Sequence, residues 1–585
     1  MKNFKKVIFT KYEEKFIKKD YQDIFYAGYW ASESIELKKD KDYQNCIWAS
    51  QNEKNQSYKN LKKIYDKYLI ILTNFFNNYH NENHDKRYWE IISGIWLNTY
   101  LSTLYYRWNV VKKISSKKKI IINNYNFKNF FLTTNNSIEY YSKITRSDSF
   151  NNLVFYKIID YFIKYKKFKP FFEKKKINFQ INKNKKINLT RNYSLKTKIF
   201  DKFCGFLDLI FRGKKNFLII DGFSNKINIK LNLLANQLPF PTSKYFNNEL
   251  SINTKFFNFK KRKENIIRIK TNDSFEKFLE KNIYYDIPKI FLENFISNLN
   301  LVKTYKIRCN TIVSGSLHHY NELFKIWLAH NTIKKDKFFV ITCHGGNHAK
   351  YNGILDYEDN ISHQNISWVK SEKHNLPASK YIGVKRNRNN LDNLIFVINE
   401  TNPYPAKWED APVCLDNLEL DNVLKKFQLL LNEEIKKRFY TCPKYFYCPK
   451  FKKTIKKNLD TAQIKKSFSF TKELDNAKLV ICDNPQTAFI DALRTGPTIL
   501  VLKRNQWRPK DILKKNYKEL EKNKVIFYSY NDAIKHINKI WDDIDGWWLK
   551  KQTSKAVSNF LSNMNCNESS INKWIYYLKN KKKRI

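Results

Sequence analysis

The sequence predicts an α/β protein with two doubly wound, Rossmann-type domains facing a cleft and a helical N-terminal portion. Three observations predict it. Short apolar runs alternate with amphipathic helical patterns from residue 216 onward. Two long stretches of 3.6-residue periodicity precede them, and the two most pointed motifs stand directly after predicted strands.

In the N-terminal third, a short apolar run at 23–28 (DIFYAG) is followed by polar sequence with turn residues. Helical periodicity then covers 58–79 and 87–111. In RYWEIISGIWLNTYLSTLYYRW apolar residues fall on nearly every face, which suits a helix buried among others. Arg87 and Arg107, near its ends, are expected in surface or core ion pairs. Residues 1–165 therefore form a helix-rich portion, and 166–198, basic and low in complexity, is expected to be a linker or insertion.

The first α/β block spans 199–380. NFLIIDG at 216–222 predicts a buried strand and INIKLNLLANQL a helix. The strand at 310–315, the helix LHHYNELFKIWLAH and the strand at 337–343 make a βαβ unit, hence a parallel sheet. The second block spans 381–585, with strands NLIFVINE, AKLVICD, PTILVLK and VIFYSY and helices LDNVLKKFQLLLNEEIKKRF, TAFIDALRTG and DAIKHINKIW. Open α/β sheets bind ligands beyond the carboxyl ends of their strands.

Two motifs stand at such ends. TCHGGNHAK at 342–350 places Gly345 and Gly346 side by side in a chain with 12 glycines. Glycine is retained where the backbone must turn sharply or approach closely. Such a loop can hold an anion or bring a hydroxyl against His344, and an imidazole titrates near operating pH, as a general base requires. A structural histidine at a tight turn is the competing role. The second motif, ICDNPQTAFIDALRTGP at 481–497, sets Asp483 in a short loop and Gln486 and Thr487 at a helix start, where N–H groups and a hydroxyl suit a nucleotide diphosphate. Thr487 serves equally as an ordinary helix cap. Asp491, one turn on, either contacts a ribose or orients the loop. His318 and His319, after another strand end, either line the same cleft or make helix-start contacts. Asp543 and Asp545 have DxD spacing, but Ile537, Ile540, Trp541, Ile544 and Trp548 recur at helical spacing, so these carboxylates are expected on a solvated helix face, with no metal.

Composition narrows the classes. The formal charge of +53 comes from lysines spread along nearly the whole chain, without a recognisable nucleic-acid motif, so it reads first as a solvated surface and second as adhesion to an anionic membrane face. Nine cysteines without a CxxC pair argue for reduced thiols and against a structural zinc site. No signal-like apolar stretch and no run of membrane-spanning length occurs, so a cytoplasmic protein is expected.

Three stretches, RYWEIISGIWL with YYRW between 87 and 108, CHGGNHAKYNGILDYEDNISHQNISW at 343–368, and INKIWDDIDGWW at 537–548, together resemble a bacterial transferase family of surface-polysaccharide and O-antigen gene clusters. The chain is also distantly similar to CDP-glycerol glycerophosphotransferase and related GT-B transferases. There, an HG loop at the end of the first domain carries a functional histidine, and an Asp-x-x-Ser-Ser-type loop of the second grips the donor phosphates. The resemblance implies a GT-B-like fold, with 1–165 joined to the acceptor-side domain and 381–585 as the donor-nucleotide domain. It implies His344 as the catalytic or acceptor-side histidine and Asp483, Gln486 and Thr487 as the donor loop. Gln-Thr replaces Ser-Ser here, and Gly-Gly-Asn-His follows the histidine, so the donor stays open. The function implied is glycosyltransferase-like, moving a sugar or sugar-like group from a nucleotide-activated co-substrate, without a cofactor, to a glycan or lipid-linked glycan acceptor. Lys503 and Arg504, after PTILVLK, are candidates to neutralise the leaving phosphate. Peripheral contact with an anionic inner membrane is compatible with this; a specific nucleic-acid partner is not expected. The rival reading is a non-catalytic basic protein holding an anionic glycan or nucleic acid.

Overall fold

The structure is a computed structural model that describes residues 4–17, 23–32, 42–44, 46–48, 50–126, 131–179, 215–239, 256–305, 307–343, 345, 356–384, 388–389, 392–398, 402–406, 417–443, 449–460, 463–464, 470–503, 507–567 and 570–580, with scattered positions between 195 and 206 and at 246.

Its described strands form three sheets, parallel throughout. The first lies in the N-terminal portion, where sequence reading expected helices: β1 (Lys5–Ile8), β2 (Ile24–Tyr26), β3 (Ile120–Asn126) and β4 (Phe171–Asn178), in the order β2-β1-β3-β4. β4 lies inside the stretch 166–198 expected to be a linker or insertion, so residues 171–178 of that stretch are a strand of the sheet and not a loop. It is an edge strand, FFEKKKIN, with Glu173 alone buried, so it carries no apolar run to announce it. Its anchor is polar: the buried Lys6 ammonium lies 2.9 Å from Glu173 Oε1 and donates to Asn123 Oδ1 at 2.7 Å. A buried charge is tolerable only when paired in this way.

Two thirty-residue helices, α1 (Gln51–His80) and α2 (Lys86–Ser115), pack against each other in the core they share with this sheet. Ser50 and Glu53 close a capping box at the start of α1, and Asp85 caps α2 by accepting from Tyr88 N at 2.8 Å. Nearly every side chain of α2 is buried, as its all-round apolar pattern predicts. Its arginines depart from expectation. Arg107 is buried and donates to Asn151 Oδ1 and to the carbonyls of Ile144 and Pro405, and Arg87 donates to Ile361 O and meets the His363 ring. Carbonyl dipoles and an amide oxygen hold the Arg107 charge, while Arg87 also feels the Asp85 and Glu90 carboxylates, and burial pulls the Arg107 guanidinium down to about 10.

The second sheet runs β5 (Lys215–Ile219), β6 (Cys309–Ser314), β7 (Phe338–Thr342) and β8 (Gln364–Ile366) in sequential order. Alternation sends Leu218, Ile312, Phe339 and Ile341 into the core shared with α1, α2 and the first sheet. Phe217, Ile219, Val313 and Val340 enter a second core on the opposite face. The predicted helix LHHYNELFKIWLAH is two helices, Leu317–Tyr320 and Glu322–Ile333, parted at Asn321, whose Oδ1 caps the second by accepting from Phe324 N at 2.8 Å.

The third sheet comprises β9 (Asn393–Ile398), β10 (Phe439–Pro443), β11 (Ala477–Cys482), β12 (Thr498–Val501) and β13 (Ile526–Phe527), in the order β10-β9-β11-β12-β13. The order reverses between β9 and β11, so the loop after β11 opens at a topological switch point. The last helix, Asn572–Asn580, returns to the second sheet rather than staying with the third. Trp574 is buried against Phe217, Ile219 and Val340 and donates from Nε1 to Pro377 O at 2.7 Å. The sequence division at 381 thus misses this crossing.

Candidate active site between two strand ends

Both motifs singled out in the sequence leave the carboxyl ends of parallel strands, and the structure brings them together. After β7, Gly345 O accepts from Cys343 Sγ at 2.8 Å. After β11, the helix Thr487–Thr495 begins, with Gln486 at its N-cap. A Cβ on Gly345 would stand 2.6 Å from Thr487 Oγ1. A side chain at position 345 would have to displace the Thr487 hydroxyl.

The approach is braced from the segment that joins the two blocks. Thr342 Oγ1 donates to Ser379 Oγ at 3.1 Å. The neighbouring Lys380 ammonium lies 2.7 Å from Asp491 Oδ2, one turn into the helix. Arg494 lies over the Tyr381 ring, 4.2 Å from its centroid, and donates to Val384 O at 3.1 Å. Asp491 is therefore a brace between the blocks. Asp483 is buried and accepts from Asn484 Nδ2 at 2.9 Å, while Asn484 Oδ1 accepts from Gln486 N at 3.2 Å, so both side chains shape the turn that aims the helix. Lys503 is ion-paired with Glu419. His344, Gly346 and Arg504 lie outside the described residues.

A second polar cluster sits at the ends of β5 and β6. Asp221 accepts from Ser314 Oγ at 2.8 Å, Gly315 N at 2.8 Å, Ser316 N at 2.8 Å and Ser316 Oγ at 2.6 Å. Burial works to raise its carboxyl, but these hydrogen bonds and the nearby His318 outweigh burial and hold it below the ordinary aspartate value. Gly222 makes the turn possible: its φ is +104° and its Cβ would meet Thr342 Cγ2 at 2.6 Å. Ser314 Oγ also lies 3.1 Å from His318 Nδ1. Nε2 of His318 lies 3.3 Å, and Nε2 of His319 2.8 Å, from Glu358 Oε1. Burial again works to raise Glu358, and the two imidazoles override it, holding the carboxyl far below its usual range. Sequence reading placed the two histidines here but missed Asp221 and Glu358. The signal for Asp221 was present, an aspartate directly after the apolar run NFLII and before a glycine.

A family model described as LIC12162 family transferase matches residues 6–578. The chain belongs to that transferase family. No curated protein matches it. Among solved structures it is similar to a Listeria monocytogenes protein assigned as a UDP-N-acetylglucosamine 2-epimerase, with TM-score 0.35 and 9% identity over 61% of this chain and 94% of that one. It is also similar to a mutant O-GlcNAc transferase from Thermobaculum terrenum, with TM-score 0.26 and 9% identity over 53% of this chain and 59% of that one.

In this transferase the remaining motif residues make contacts within the fold. Asp543 caps a short helix by accepting from Gly546 N at 2.8 Å, and Asp545 pairs with Arg388 at 2.7 Å. Ile537, Trp541 and Ile544 are buried, as their spacing predicts. Burial pushes the Cys343 and Cys482 thiols far up, so neither is a nucleophile near neutral pH. The described cysteines are thiols outside any disulfide. No helix among the described residues is long and apolar enough to cross a membrane.

Proposed function

We propose that this transferase moves a sugar or sugar-like group from a nucleotide-activated donor to a surface-polysaccharide or O-antigen acceptor, working at the cytoplasmic face with peripheral contact to an anionic membrane. The observation that carries the reading is the approach of Gly345 to Thr487 across the ends of β7 and β11. It sets the start of a nine-residue helix, at a switch point of one parallel sheet, against the glycine turn of another. The positive end of the helix and the Thr487 hydroxyl suit a departing diphosphate without a metal at the phosphates. His344, next in the chain to Gly345, is assigned the acceptor hydroxyl, which it deprotonates or orients as the donor bond breaks. Lys503, paired with Glu419, is a weaker candidate for phosphate neutralisation than the helix terminus.

The test is thermal stabilisation by a panel of CMP-, CDP-, UDP-, GDP- and TDP-linked donors, on wild type and Thr487→Ala. One donor class is expected to raise the melting temperature of wild type and to lose most of that shift in the variant. No nucleotide response, with salt-sensitive stabilisation by polyanions instead, would reverse the reading.

A further inference from the structure

We propose that His318, His319 and Glu358 form a site for one divalent transition-metal ion of the zinc class, at the carboxyl edge of the second sheet. Their ligand atoms all lie within 4.8 Å of one another, the tightest such grouping being the two Nε2 atoms on a single Glu358 oxygen, at 3.3 and 2.8 Å. Metal–ligand bonds of about 2.0–2.1 Å in a tetrahedral site separate neighbouring ligands by about 3.3 Å, so small side-chain shifts complete the geometry.

The hydrogen bonds around Asp221 and Ser314 turn Nε2 of His318 toward Glu358. Both oxygens of Asp221 are filled by four donors, so this carboxylate acts as an acceptor and takes the single Ser314 hydroxyl proton. Ser314 Oγ must then accept from His318, which fixes the proton of that ring on Nδ1. Nε2 of His318 thereby faces the carboxylate oxygen of Glu358, 3.3 Å away, and what joins the two atoms is either a proton on that nitrogen or a metal ion. A metal ion is the cation that takes neutral imidazole and carboxylate together.

The surroundings also suit a metal. Asp221 and Ser314 form the outer relay that commonly fixes the tautomer and orientation of a ligating histidine. His318 is fully buried and His319 nearly so, which holds both rings in place before binding. The ligands come from the helices Leu317–Tyr320 and Tyr357–Ile361, so binding would pin the chain before β8 to the end of β6. Two histidines and one carboxylate leave a fourth position for water or a substrate oxygen, the composition of reactive rather than purely structural zinc sites. The proposal stands apart from the donor reading, since metal binding is read without any nucleotide.

The test uses the full chain, stripped with chelator and titrated calorimetrically with zinc chloride, beside elemental analysis of protein purified without chelator. About one zinc per chain is expected. Glu358→Gln and His319→Ala are expected to weaken binding by about a hundredfold or more, and Ser314→Ala, which keeps every ligand, by about 10–100-fold. Cobalt loading of wild type should give the visible absorption of a tetrahedral site, which keeps the test decisive even if a ligand variant fails to fold. Absence of stoichiometric metal and of the cobalt spectrum, or undiminished binding in the folded variants, would overturn the proposal and leave a charged hydrogen-bonded His–Glu–His clamp.

Discussion

At Gly345 a single missing methyl group decides how closely two strand-end loops approach. An alanine there would drive its Cβ to 2.6 Å from Thr487 Oγ1, well inside contact distance. Overpacking of this kind costs about 1–3 kcal/mol, and removing the obstructing hydroxyl should return part of it. Gly345→Ala is therefore expected to destabilise the protein, and Gly345→Ala with Thr487→Ala to be less destabilised than the two single costs summed, with a coupling of about 0.5–3 kcal/mol. Urea titration of the four proteins measures it, and strict additivity would show that the loops do not touch. These two residues were legible in the sequence for local reasons: a glycine pair stands out in a glycine-poor chain, and a threonine at a helix start is recognisable from its neighbours alone. Asp221 and Glu358 were not recognised, because their meaning comes from partners 93 and about 40 residues away in the chain. A contact between distant segments leaves no periodic trace in a single sequence.

The same rule holds for whole elements. The inner strands of the second and third sheets are buried on both faces, so they read as continuous apolar runs and were recognised as strands, whereas the edge strands β8 (QNI) and β10 (FYTCP) carry no such run and were not. β1 and β4 carry lysines instead, and β4 is held by its ladder with β3 and by the Lys6–Glu173 pair, neither of which has a local signature. The place of the helix Asn572–Asn580 has no local signal, since nothing in NKWIYYLKN says which sheet Trp574 will meet. Trp574 is 1% exposed and carries the Nε1 bond to Pro377. Trp574→Ala should therefore cost about 3–5 kcal/mol, with the loss concentrated in the second sheet. Amide hydrogen exchange checks this: faster exchange is expected through β5 and β6, with β11 and β12 little changed. A uniform loss across both sheets would mean that the helix stabilises the whole chain rather than the face it covers.

Over the whole molecule, 108 basic residues against 55 acidic ones make self-repulsion the dominant long-range term. Most of the ion pairs at the surface are too exposed to offset it. The Debye length falls from about 30 Å at 0.01 M salt to about 8 Å at 0.15 M, so repulsion between distant lysines fades across that range while the buried Lys6–Glu173 pair is barely screened. The melting temperature is accordingly expected to rise with salt and then level off. Donor binding should behave differently. If the diphosphate is held by the helix start at Thr487, a few short-range contacts carry it, and the donor-induced shift changes little over the same range. If instead the lysine field holds a polyanion, binding weakens steeply with the logarithm of salt concentration. Melting curves with and without donor, from about 0.01 to 0.5 M potassium chloride, separate the two. A melting temperature that falls with salt would place exposed pairs such as Arg388–Asp545 ahead of net charge in stabilising the fold. A donor effect that vanishes by 0.15 M would move the anion from the cleft to the surface.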